Sequence, residues 1–123
     1  MRKWSETVKP WPKLYSNRLY TVRVVSVSKE DDGKSMLLEV EFLEDQQKGR
    51  KLQSKLDLPI RLQGRAANFF QVCGHEVKLQ ARLSPLDTVG CTISVQLEQD
   101  SNDNWHITEF KPITQEQNDE SNP

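Results

Sequence analysis

The nine residues 65–73, RAANFFQVC, form one helix-like stretch in a chain whose other patterned segments read as strands. Ala66, Phe69, Phe70 and Cys73 recur at three- and four-residue spacing, which gathers apolar side chains on one face and leaves Arg65, Asn68 and Gln71 on the other. Gly74 follows, and glycine takes the left-handed conformation that closes a helix end without a Cβ clash. A helix this short is marginal in water, so it is expected to dock on a sheet.

Three strand-like runs precede it. Residues 19–28 are rich in β-branched side chains, 36–44 alternate Leu38, Val40 and Phe42 with Glu39 and Glu41, and 50–58 place Leu52, Leu56 and Leu58 on one face. Asp31-Asp32-Gly33-Lys34 is a tight hairpin signal and 46–49 a longer one, so the three runs form a meander. In the first run Val22 and Val24 share a face while Val25 and Val27 take the other. Either both faces are covered or a bulge lies near Val24 and Val25. After the helix, Cys91, Ile93, Val95 and Leu97 alternate with polar residues, and 104–110 supply a hairpin partner through the turn at 101–104. Val77, Leu79, Ala81 and Leu83 also alternate, as a further edge strand ended by Ser84-Pro85 or as an extended connection.

Three meandering strands, a helix and a closing hairpin are the element order of an OB-fold, a mainly β, five-stranded Greek-key barrel with one helix between strands three and four. An α+β roll with the same element order is the competing architecture. The 123 residues divide into a basic aromatic arm (1–18), the barrel domain (19–112) and a polar, acidic tail (113–123), expected to be disordered because 115–123 carry no aliphatic or aromatic side chain. No apolar run has the length of a signal peptide core or membrane span, which points to a cytoplasmic protein without membrane partners. Cys73 and Cys91, both on apolar faces, read as small core hydrophobes, with a disulfide as the alternative.

The formal net charge is −1, but it is segregated. Residues 1–29 hold seven basic side chains against Glu6, and 46–82 hold eight against Asp57 and Glu76. Residues 30–45 set Lys34 against seven acids, and 98–123 set Lys111 against seven more.

Little in the chain suggests catalysis. No nucleophile stands with a base, the acidic cluster Glu30-Asp31-Asp32 reads as a solvated turn, and Glu39 and Glu41 share a solvent-facing strand face. His75 and His106 lack metal-ligand spacing, and neither Gly49-Arg50 nor Gly64-Arg65 has phosphate-loop spacing, so neither metal nor cofactor is expected. Arg65 at a helix start would suit an anion; the plainer reading is a solvated side chain.

The arm is more suggestive. Trp4, Trp11, Tyr15 and Tyr20 are interleaved with Lys3, Lys9, Lys13 and Arg18, and cations with stacking faces are the two ingredients of sequence-tolerant single-strand binding. The alternative is an N-terminal cover in which Trp11 and Tyr15 tuck back onto the barrel. On the third strand Lys51 and Lys55 occupy the polar face, with Arg23 across the meander, where an OB-fold carries its ligand's backbone. Trp105 is a further candidate for stacking.

The chain resembles the small phage and prophage OB-fold single-stranded DNA-binding proteins of recombination and replication gene clusters. The likeness covers residues 19–112 and rests on Tyr-Thr-Val-Arg-Val-Val at 20–25, Lys48-Gly49-Arg50, the alanine- and phenylalanine-bearing helix ending in Gly74, Val89-Gly90, and Phe110-Lys111-Pro112. It implies DNA binding without catalysis, and an acidic tail that contacts replication or recombination proteins or competes for the groove. This tail lacks the hydrophobic tip that bacterial single-strand binding proteins use for docking. Two functions are therefore expected. The first is a non-catalytic binder of single-stranded DNA, or RNA in its place, through Lys13, Arg18, Arg23, Lys51, Lys55 and Arg65 with stacking on Trp11, Tyr15 or Trp105. The second is an interaction or assembly module, a homo-oligomer included, whose arm packs on another subunit.

Overall fold

The computed structural model describes residues 4–113; the tail from 114 onward, with the disorder expected there, lies outside the described residues. Five strands form one antiparallel sheet in the spatial order β3-β2-β1-β4-β5. They are β1 (Leu19–Lys29), β2 (Ser35–Phe42), β3 (Lys51–Asp57), β4 (Thr92–Gln99) and β5 (Trp105–Lys111), with the helix α1 (Arg65–Val72) between β3 and β4 in the chain. The architecture is mainly β. The edge strands β3 and β5 come into contact without pairing among the described residues, so the sheet is strongly curved.

Curvature is built into β1. Its register with β2 shifts between Val24 and Ser26, leaving Val25 as the extra residue of a bulge. Before the bulge Tyr20, Val22 and Val24 are buried; after it the inward phase passes to Val27. A bulge bends its strand and sharpens the twist, and here it explains the broken alternation visible in the sequence. In β2 the alternation is clean, with Met36, Leu38, Val40 and Phe42 buried.

The inner face of the sheet and α1 share one core. Ala66, Ala67, Phe69 and Phe70 are buried, so the helix sinks deeper than its apolar face alone implies. Phe69 packs on Phe110 with ring centroids 5.1 Å apart. Each large side chain so buried contributes about 1.5–3 kcal/mol, which holds a helix that has no side-chain N-cap. At its end Gly74 takes φ 95°, and His75 N–H donates to Phe70 O at 3.0 Å while Gly74 N–H donates to Gln71 O at 3.0 Å. These bonds use carbonyls that the helix end leaves open.

Residues 77–83 form no strand. The chain turns at Leu79-Gln80, where Gln80 has φ 69°, and only Val77 and Leu83 reach the core. The segment is part of the connection between α1 and β4, bent by a β-turn over 78–81, and so is neither the edge strand nor a fully extended run. Cys73 and Cys91 are free thiols, half-buried and packed on the core. Burial pushes the Cys73 thiol far above its ordinary range, reinforced by its hydrogen-bond contact with Cys91. No helix among the described residues is long and apolar enough to cross a membrane.

Candidate nucleic-acid interface

The arm is fixed to the body at its C-terminal end. Leu14 is inserted into the core at 2% exposure, so the side chains alternate from Trp11 to Tyr15, with Leu14 inward and Trp11, Lys13 and Tyr15 outward. Gln47, a buried residue of the 3-10 turn Asp45–Gln47, donates from Nε2 to Pro12 O at 2.8 Å and to Lys13 O at 3.3 Å. Arg50 donates from Nη1 to Pro12 O at 3.1 Å and to Gln47 Oε1 at 3.1 Å. The Tyr15 N–H donates to the Tyr20 hydroxyl at 2.8 Å. Tyr20 is therefore a buried anchor, set edge-on against Phe42 at 5.4 Å, and leaves the group of exposed aromatics.

What remains outside is an aromatic–cation–aromatic strip. Trp11 and Tyr15 are each 50% exposed, and Lys13 Nζ lies 5.7 Å from the Tyr15 ring centroid. The Trp11 indole extends toward the β2–β3 loop, where a Cβ on Gly49 would stand 4.0 Å from its ring. Gly49 itself has φ 92°, a conformation that a side chain would strain. Lys13, Tyr15 and Arg18 line an open cleft of about 430 Å³ with Glu44, Gln46 and Gln47. Glu44 accepts from Thr21 N–H at 3.0 Å, and the Arg18 guanidinium carbon lies 5.2 Å from the Tyr20 ring centroid.

The remaining sequence-derived candidates are dispersed. Arg23, Glu41 and Lys51 form one cross-strand row on the outer face, and Arg23 Nη2 bonds Glu41 Oε1 at 2.9 Å. Lys55 Nζ lies 3.6 Å from Glu30 Oε1. Cations here are interleaved with carboxylates. Trp105 shares the inward side of β5 with Ile107 and packs, partly buried, against the core, away from the outward stacking position expected for it. His106 is the outward residue. Its Nε2 lies 2.6 Å from Asp100 Oδ2, while Asp100 Oδ1 accepts from the backbone of Asn102 and Asn104. The His106 hydrogen bond, then that from Asn104, holds the Asp100 carboxyl below its ordinary range.

Arg65 is a clamp. Its guanidinium donates to Lys55 O at 2.8 Å, to Ser54 Oγ at 2.8 Å and to Ile107 O, joining β3 to β5 across the gap in the sheet, and Cζ lies 5.4 Å from the Phe110 ring centroid. Burial lowers its pKa, opposed by the Asp57 charge. The fork's hydrogens thus serve the fold, and the expected anion contact is displaced by protein acceptors.

Sequence reading missed Leu14, Gln47 and Arg50. Leu14 stands between Lys13 and Tyr15 in a stretch with no strand or helix periodicity, so no local pattern marked it for burial. Among the described residues no group of three or more His, Cys, Asp or Glu side chains is placed to hold a metal ion. No family model and no curated protein matches the chain.

Proposed function

We propose that the protein is a non-catalytic single-stranded nucleic-acid-binding protein, with DNA as its first ligand, built on an OB-fold. The observation that carries this reading is the fixed arm. Two half-exposed aromatic faces flank a lysine on a segment whose inner side is already anchored, so stacking bears little ordering cost. Trp11 and Tyr15 supply base stacking, and Lys13 and Arg18 supply phosphate contacts. The strand order supports the fold assignment: joining the edges β3 and β5 of the order β3-β2-β1-β4-β5 yields a five-stranded Greek-key barrel. Arg23, Lys51 and Lys55, being interleaved with acids, are a secondary track.

Anisotropy of fluorescein-labelled oligo-dT, titrated at several salt concentrations, tests the reading. Affinity is expected to fall steeply with salt as neutralised phosphates release counterions. Trp11→Ala and Tyr15→Ala should each cost about 1–3 kcal/mol of binding. Lys13→Ala should reduce the salt slope by about one. Absence of binding at low salt, or an affinity indifferent to salt, rejects the proposal; a dimer by light scattering that is lost in Trp11→Ala favours the assembly role of the arm.

A further inference from the structure

Away from the arm, two short segments repeat one pattern. Arg61-Leu62-Gln63-Gly64-Arg65-Ala66 and Lys78-Leu79-Gln80-Ala81-Arg82-Leu83 both read basic, leucine, glutamine, small, arginine, apolar. They also fold alike. Gly64 N–H donates to Arg61 O at 3.0 Å and Ala81 N–H to Lys78 O at 3.1 Å, so each segment begins with a β-turn. The third residue of each turn is a glutamine with positive φ, 63° at Gln63 and 69° at Gln80. That position favours glycine or asparagine, so both turns retain backbone strain.

The result is a pair of outward leucines at the turn corners. Leu62 is 50% exposed and Leu79 75% exposed. Both belong to the wall of one groove of about 410 Å³, whose lining also includes Ile60, Val77 and Leu83. Those three are partly buried against the core, so the groove has a supported apolar floor and an apolar rim. Its charge is one-sided. Arg61 and Lys78 line it and Arg82 follows; the one acid in residues 59–64 and 76–83, Glu76, lies 3.6 Å from Lys78.

We propose that this groove docks a short acidic peptide of a partner protein, bearing leucine or phenylalanine side chains. The aliphatic side chains of the peptide would meet Leu62, Leu79 and the floor, and its carboxylates would face Arg61 and Lys78. The chemistry separates this occupant from others. No aromatic side chain lines the groove, so bases have no stacking face there. The chain's own residues 115–123 carry acids but no aliphatic or aromatic side chain to fill it.

Panning a random dodecapeptide display library against the full chain tests the proposal. Selected peptides are expected to combine acids with leucine or phenylalanine and to bind at least tenfold more weakly to the double variant Leu62→Asp/Leu79→Asp. Both substituted side chains are exposed, and retained amide dispersion checks that this variant folds. Arg61→Glu/Lys78→Glu, which leaves the leucines in place, should weaken the same peptides. Amide shifts in the wild-type protein should centre on Leu62, Gln63, Leu79 and Gln80. Recovery of no binder, selection of basic peptides, or binding to either double variant that equals binding to the wild-type protein overturns the proposal. So does self-association abolished by Leu62→Asp/Leu79→Asp, which would make a second copy the occupant, or a response of the same amides to oligo-dT.

Discussion

Arg65 and Tyr20 illustrate how a side chain's role is set by acceptors and neighbours far along the sequence. Arg65 precedes a helix, and on sequence alone its guanidinium is available to an anion. Folding brings Ile107 O to it from 42 residues away, an acceptor that no local pattern announces. Arg65→Met keeps the stem but leaves Ser54, Lys55 and Ile107 without their donor. It is expected to cost about 1–3 kcal/mol, read as a lower denaturation midpoint, with oligo-dT affinity unchanged at temperatures where the variant is folded. Tyr20 belongs in sequence both to the aromatics interleaved with cations and to the first strand; its position on the buried phase of β1, in line with Val22 and Val24, is the signal that decides for the core. Tyr20→Phe removes only the hydroxyl that accepts from Tyr15 N–H. About 1 kcal/mol of stability should be lost in thermal melts, together with a faster release of oligo-dT as Tyr15 loosens.

At the level of elements, the strands were legible where alternation was unbroken. The bulge was legible because a phase change in valines is itself a pattern. The segment 77–83 alternates as well as any strand, yet a positive-φ turn at Gln80 interrupts it and leaves Leu79 outside. Alternation reports which side chains want burial and says nothing of whether an edge is available for pairing. The twin turns offer a direct measurement. Gln63→Gly and Gln80→Gly should each stabilise by about 0.5–1 kcal/mol, since glycine bears no Cβ penalty in the left-handed region, and the gain should appear as a raised midpoint in chemical denaturation. The arm behaves as an element of the domain despite having no regular structure. Leu14→Ala opens a cavity beneath it and is expected to cost about 2–5 kcal/mol, with weakened oligo-dT binding in the folded fraction. An unchanged melt would show that the arm is dispensable to the fold.

Across the whole molecule, charge blocks that look polarised along the chain become interleaved in space. The acidic β2 lies between β1 and β3, so Glu41 faces Arg23 on one side and Lys51 on the other. Block charge was readable in the sequence, while its cancellation depends on register. Lys13, on the arm outside the sheet, is not part of that row, and the candidate site was partly legible for this reason. Glu41→Gln removes an exposed pair worth about 0–1 kcal/mol, so stability should hardly change. Oligo-dT should bind a few-fold more tightly at low salt, an advantage that screening erases at high salt; equal affinity at low salt would confine the ligand to the arm.

The seam held by Arg65 also bears on how the protein keeps to itself. β3 and β5 are the two sheet edges, and edges carry unpaired amides and carbonyls that can template another chain. Turned toward each other and bridged by one guanidinium, they are withheld from neighbouring molecules without a ladder between them. Opening that bridge would expose both edges together. Arg65→Met is therefore expected to raise the tendency to aggregate as well as lower stability, although α1, packed on both edges, still bridges β3 and β5.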